Sequence, residues 1–104
     1  ISGWEGGRPY ALDAETLGTL GEETFNGALP DAAFLAHMRI DTAADRLIGC
    51  NVYRESPSRF VFREFDGSGN EVAEREVRIP GMHFEHDFVV TPRWYVLAGN
   101  PMKA

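Results

Sequence analysis

The chain has 104 residues, 43% of them apolar and 25% charged, a composition typical of about one globular domain. Sixteen acidic against ten basic residues give a net charge of −6, and Lys103 is the only lysine. This argues against a nucleic-acid partner, because phosphate binding depends on clustered Lys and Arg. No apolar run predicts a transmembrane helix, and the first residues lack the pattern of a secretory signal.

The chain also begins without Met. We therefore expect a processed product or a fragment of a longer protein. The single cysteine, Cys50, fits a reducing compartment. Its apolar neighbours predict a buried, inert thiol.

The first third of the chain predicts a short pair of strands. Residues 8–12 read as the end of a strand, residues 13–16 as a polar turn, and residues 17–20 as the returning strand. A helix over residues 12–20, with Asp13 as its N-cap, is the alternative. The glycines in and after this stretch disfavour that helix.

After a connecting loop, the middle of the chain predicts four strands joined by tight turns. They are expected over residues 34–40, 46–53, 60–65 and 72–79. A four-stranded antiparallel meander of this length is typical of one propeller blade. The sequence therefore predicts an all-β fold, with one complete blade over about residues 34–80.

Two more strands, over residues 87–90 and 94–98, are predicted to begin a neighbouring unit. The fold class is thus about one complete blade plus parts of its two neighbours, with residues 1–104 forming a partial propeller domain. A blade is apolar on both faces because it stacks on its neighbours. The rest of the propeller is then the first partner that this chain requires.

Three histidines, His37, His83 and His86, each lie within or beside an apolar segment. Imidazole is a common metal ligand, although a hydrogen-bonded histidine at a strand end is the simpler interpretation of each. On one extended strand His83 and His86 would point to opposite faces. Any metal site would need ligands from outside the chain. Glu5, between Trp4 and two glycines, is either an exposed turn residue or an acceptor for the second nitrogen of a ligating histidine.

Three separated motifs, in order, resemble the carotenoid cleavage oxygenases, a family that includes the retinal-pigment isomerohydrolase and the lignostilbene dioxygenases. The first motif runs from Trp4-Glu5-Gly6-Gly7 through Pro9-Tyr10 and Leu12-Asp13 to Gly21. The second is Ala36-His37 with Ile40-Asp41, and the third is Phe84, His86-Asp87-Phe88 and Thr91. The resemblance extends to Asn100-Pro101 and covers nearly the whole chain.

This resemblance implies a seven-bladed β-propeller in which four histidines near the axis hold one ferrous iron, with glutamates behind them. His37 matches the first histidine ligand and His86 the second, and two further ligands lie outside the chain. Glu5 matches a glutamate that accepts the N–H of His86, whereas His83 matches no ligand. Met38 and Glu85 depart from the family pattern, and Glu85 would disturb the pocket if it pointed inward.

The resemblance further implies an Fe(II) dioxygenase that uses O₂ to cleave a carbon–carbon double bond of a carotenoid or apocarotenoid into carbonyl products. No catalytic residue beyond the metal ligands is implied, and Phe34, Phe84 and Phe88 are candidates for lining a substrate tunnel. Three alternatives stay open: cleavage of stilbenes, an isomerase or inactive relative, and a free-standing β module that binds a partner through its edges. We expect the isolated chain to be inactive and to retain no stoichiometric iron.

A cytoplasmic or plastid-like location, with association of the parent protein at a membrane surface, is consistent with this family.

Overall fold

The computed structural model describes residues 1–101, so Lys103 and its two neighbours fall outside the description. The described chain is all-β and forms three separate antiparallel sheets. Its strands are β1 (Tyr10–Leu12), β2 (Thr19–Glu22), β3 (Arg39–Asp41), β4 (Arg46–Tyr53), β5 (Ser58–Phe65), β6 (Glu71–Ile79), β7 (Val89–Val90) and β8 (Tyr95–Val96). No helix in residues 1–101 has the length and hydropathy to span a bilayer.

The central sheet is a meander of four strands in the order β3-β4-β5-β6. The tip of the β5–β6 hairpin is the predicted polar loop, where the Asp66 carboxylate accepts hydrogen bonds from the backbone N–H groups of Ser68 and Asn70. The first strand is shorter than predicted. Over residues 34–40 only Arg39 and Ile40 belong to β3, and Phe34 forms an isolated bridge with Asn51.

One face of the central sheet is an apolar core. Ile48, Cys50 and Val52 alternate along β4 and lie beside Phe60 and Phe62 of β5, as the two-residue period of a strand requires. Leu35 from the chain before the sheet and Phe88 from the chain after it complete this core.

The opposite face packs against the segment that precedes the sheet. Phe65 stacks on Phe25, with ring centroids 4.0 Å apart, and Phe34 covers Gly49. A Cβ at Gly49 would lie 2.1 Å from the Phe34 ring, so only glycine allows this ring to lie on the strand. Strands β4 and β5 are therefore buried on both faces, as expected of a layer between neighbours, whereas most of β6 is exposed.

The two outer sheets, β1–β2 and β7–β8, are short antiparallel pairs. They agree in type with the predicted strand pairs, with bounds shifted by a few residues. The helix considered for residues 12–20 is not formed. Instead the Asp13 carboxylate accepts hydrogen bonds from the N–H groups of Glu15 and Thr16, which closes a single turn.

Candidate metal centre

His37 lies in the short irregular segment that leads into β3. Just before it, Leu35 donates its backbone N–H to the carbonyl of Cys50 and is fully buried. Just after it, Arg39 begins the strand. Gly3 also packs here, because a Cβ at Gly3 would lie 2.8 Å from the carbonyl oxygen of Ala36. The backbone on both sides of His37 is thus fixed, while its side chain is about half exposed.

His86 lies between two buried side chains, Glu85 and Phe88. The Phe88 ring meets Phe62 of β5 edge to face at a centroid distance of 5.4 Å. The Glu85 carboxylate accepts the backbone N–H of Asn100 at 2.8 Å. With its neighbours anchored inward on both sides, the His86 side chain points to the open face and is 62% exposed.

The two histidines, 49 residues apart in sequence, meet through their Nε2 atoms at 2.9 Å. Their rings are nearly perpendicular, at 73°. Two imidazole nitrogens that bind one metal at about 2.1 Å and at a right angle lie roughly 3 Å apart. The observed separation therefore fits two adjacent ligands of a single ion.

Glu5 lies behind His86, with Oε1 2.6 Å from Nδ1. This oxygen is shielded from solvent, and within residues 1–101 it accepts no regular in-line hydrogen bond, so the contact with the ring is oblique. A carboxylate at this place favours the tautomer with the proton on Nδ1 and the lone pair on Nε2, the atom that faces His37.

A second carboxylate, Asp87, lies near His37 but is held by Arg39. Nη2 of Arg39 donates to both Asp87 oxygens at 2.6 and 2.7 Å, and Nε donates to the carbonyl of Phe88. Despite partial desolvation, which opposes it, the N–H of Phe88 and the Arg39 guanidinium lower the pKa of Asp87. The Nδ1 atom of His37 is 4.0 Å from Asp87, beyond hydrogen-bond distance.

His83 and Glu85 have structural contacts. The His83 ring is buried, with Nε2 3.0 Å from the carbonyl oxygen of Pro80, and its backbone N–H donates to the Ser58 hydroxyl. Glu85 points inward, as considered from the sequence, but its carboxylate is engaged by Asn100. No group of three His, Cys, Asp or Glu side chains able to hold a metal occurs in the described residues. The pair would therefore need ligands from elsewhere.

The aromatic candidates for a substrate tunnel have different environments. Phe34 and Phe88 are buried in the two cores on opposite faces of the central sheet. Phe84 is 47% exposed and two residues from His86. Of the three, only Phe84 has an exposed ring.

Cys50 is fully buried in the first core, as the sequence predicted. Burial raises the pKa of its thiol to about 12.

Two groups near the centre were not predicted from the sequence. The Arg39–Asp87 pair joins residues 48 apart, and Arg54 reaches Glu5 across 49 residues. Of these four residues, Glu5 and Asp87 lie in motifs that carried a signal, whereas Arg39 and Arg54 carried none.

Residues 1–104 match the model of a protein family that is described as "retinal pigment epithelial membrane protein". The chain belongs to this family, the carotenoid cleavage oxygenases. Among curated members, the apocarotenoid-15,15'-oxygenase of a Synechocystis species is 30% identical over 104 residues, covering 93% of this chain and 21% of that protein. Resveratrol cleavage oxygenase 1 of Botryotinia fuckeliana is 32% identical, covering 89% of this chain and 17% of that protein.

A solved structure of cobalt-substituted Synechocystis ACO superposes on this chain with a TM-score of 0.86 and 28% identity, covering 95% of this chain and 22% of that one. The fold of carotenoid cleavage oxygenases is a β-propeller, and the antiparallel sheets of this chain match part of it. The chain spans about a fifth of the length of the curated relatives it matches.

Proposed function

We propose that the protein containing this chain is a non-haem Fe(II) dioxygenase that cleaves a carbon–carbon double bond of a carotenoid or apocarotenoid into two carbonyl products. The observation that carries this proposal is the 2.9 Å approach of the two Nε2 atoms of His37 and His86. With Nδ1 of His86 protonated toward Glu5, its Nε2 lone pair faces His37. Two facing lone pairs repel each other unless a proton or a metal ion lies between them.

In this proposal, His37 and His86 supply two neutral nitrogen ligands, and Glu5 fixes the tautomer and the aim of His86. Neutral ligands leave the positive charge of the ion uncompensated. When bound, iron would supply the activation of O₂, both atoms of which enter the two carbonyl products. Both rings are partly exposed, which leaves their metal-facing side accessible to ligands from the rest of the protein.

We further propose that two histidines from outside the chain complete the set in a seven-bladed propeller, within which residues 1–104 are a partial domain and residues 34–80 one blade. The two-sided burial of β4 and β5 supports the assignment of the central sheet as a blade. The apolar side chains left exposed in residues 1–101, including Leu17, Leu20 and Trp94, would then contact adjacent blades.

Cleavage of stilbenes is the second candidate, and one observation favours it. The resveratrol cleavage oxygenase is as similar to this chain, at 32% identity, as the apocarotenoid oxygenase, at 30%. Both substrates present a conjugated double bond to be aligned in an apolar channel. Phe84 is the aromatic residue of this chain that we propose for that channel.

We also propose a cellular location for the protein that contains this chain. The whole protein would lie in a reducing compartment and contact a membrane surface, where it would meet an apolar polyene substrate.

The test uses the full-length protein that contains this chain. Iron content, O₂ uptake and carbonyl products are measured with an apocarotenal and with a hydroxylated stilbene. We expect stoichiometric iron, and its loss together with activity in His37→Ala and in His86→Ala. His83→Gln is the matched control and should retain iron, because His83 contacts Pro80 rather than the pair.

Full iron occupancy in the double variant His37→Ala/His86→Ala would refute the metal site. If the substrate is isomerised without O₂ uptake, the protein is an isomerase and not a dioxygenase.

A further inference from the structure

We propose that Arg54 is a positioning residue for the contact between Glu5 and His86. The inference rests on the metal centre proposed above. It concerns a side chain that touches neither the histidines nor the Glu5 carboxylate.

Arg54 directly follows β4 and contacts both segments that build this contact. Its Nη1 donates to the backbone carbonyl of Glu5 at 3.1 Å. Its Cζ lies 4.9 Å from the ring centroid of Phe84, two residues before His86. Nε of Arg54 is shielded from solvent. One guanidinium thus joins the turn that carries the carboxylate to the segment that carries the ring.

These two segments need such a connection because neither belongs to a strand. Glu5 lies in a turn, and residues 84–88 have no regular secondary structure. The backbone N–H of Phe84 donates a hydrogen bond to the carbonyl of Asn100, and the backbones of Ser2 and Tyr10 are hydrogen-bonded to each other. Within residues 1–101, no backbone hydrogen bond joins the Glu5 turn to the His86 segment. Arg54, directly after the end of β4, spans that gap.

The chemistry of arginine suits this role. A planar guanidinium can lie against an aromatic ring while it donates a hydrogen bond from its edge. A lysine ammonium is a point charge on a flexible stem and cannot hold both partners in one geometry. A small shift of the Glu5 backbone moves its carboxylate relative to Nδ1 of His86. That change reaches the metal through the orientation of the ring.

The experiment measures Co²⁺ affinity of the metal-free full-length protein by competition with a chelator. Arg54→Met keeps an unbranched apolar stem but removes the donor. We expect about tenfold weaker Co²⁺ binding, the lower end of effects for groups that orient a metal ligand. The matched control is Arg59→Met. Arg59 also lies over an aromatic ring, with Cζ 3.6 Å from the Tyr53 centroid, but its partners are Glu55 and Glu76.

A double-mutant cycle separates positioning from general stability. If Arg54 acts through Glu5, the loss caused by Arg54→Met should nearly vanish in a Glu5→Ala background. An equal loss in both backgrounds, or no loss in either, would overturn the role. If Arg54→Met does not fold, Arg54→Lys enters the same cycle, with a smaller loss expected that again disappears without Glu5.

The same titrations keep the two proposals apart. Co²⁺ binding that survives His86→Ala would overturn the metal centre and this inference with it. Binding that requires His86 but is unchanged by Arg54→Met would overturn the role of Arg54 alone.

Discussion

The central sheet and the segments that carry the histidines are stabilised in different ways. The sheet is held by regular ladders and by apolar residues buried on both faces. The segments around Glu5, His37 and His86 are irregular and are fixed by single hydrogen bonds, one glycine contact and inward-pointing anchors. Substitutions in the sheet should therefore affect folding, whereas substitutions in these segments should affect metal affinity at nearly constant stability.

The largest expected effect is in the core of the sheet. Phe60 is fully buried, and Phe60→Ala in the full-length protein should lower the free energy of unfolding by about 3–5 kcal/mol. Phe84→Ala removes the same ring from a half-exposed site and should cost less than about 1 kcal/mol. Denaturant unfolding of the two variants measures the difference. Equal destabilisation would break the distinction between the two regions.

The next effect is on the metal and leaves the fold intact. Glu5→Ala removes the carboxylate 2.6 Å from His86 and should weaken Co²⁺ binding about 10–100-fold in a chelator competition. Glu15→Ala, which removes an exposed carboxylate in the turn after β1, is the control and should bind as the parent does. An unchanged affinity in Glu5→Ala would mean that this carboxylate does not orient the ring.

A smaller effect is expected where the glycine packs beside His37. In Gly3→Ala the new Cβ would lie 2.8 Å from the carbonyl oxygen and 2.9 Å from Cα of Ala36. Backbone atoms cannot shift easily, so the segment that carries Glu5 should move instead. We expect this movement to weaken Co²⁺ binding about fivefold, which corresponds to about 1 kcal/mol of binding free energy. Gly67→Ala is the control, because its new Cβ would lie 3.4 Å from an Asp45 carboxylate oxygen. Parent-like binding by Gly3→Ala would show that this packing does not align the site.

The smallest effect concerns pH at the β5–β6 hairpin. The backbone N–H of Asn70 is the main cause that lowers the pKa of Asp66 in the folded chain. Since the folded pKa is below the unfolded value of about 3.9, this stabilisation is complete above pH 4 and is lost as the pH falls through the folded pKa. Between pH 6 and pH 2, the melting temperature of Asp66→Asn should fall less steeply than that of the parent, because the titrating carboxylate is gone. Metal affinity at pH 7 should stay unchanged. An acid slope identical to that of the parent would contradict the role of this carboxylate.

The sequence predicted the central sheet well because each of its long strands has a local signal. Ile48, Cys50 and Val52 alternate toward one core, and the polar loop at Asp66 marks a hairpin. The strand expected over residues 34–40 forms only at its end, as β3, and the part before it pairs through the single bridge between Phe34 and Asn51. Phe34 enters the core of one face and Leu35 that of the other, as in an extended strand, so the apolar run indicates the burial of these residues and not the length of the ladder.

The candidate centre was only partly accessible from the sequence. Ordered motifs singled out His37, His86 and Glu5, and the structure brings these three side chains together. Arg54 carried no signal, because its partner Glu5 lies 49 residues away and is contacted through a backbone carbonyl. Charge patterns along a chain do not indicate which carbonyl an arginine will reach.

The meeting of His37 and His86 also makes the centre a cross-link. The two rings close a loop of 49 residues that contains the entire four-stranded sheet. An ion held by both rings would bind the folded chain and not the unfolded one, so its binding would add to the stability of the folded state by mass action. The ion would then stabilise this part of the fold in addition to its role in the reaction. A chelator should therefore lower the melting temperature of the protein.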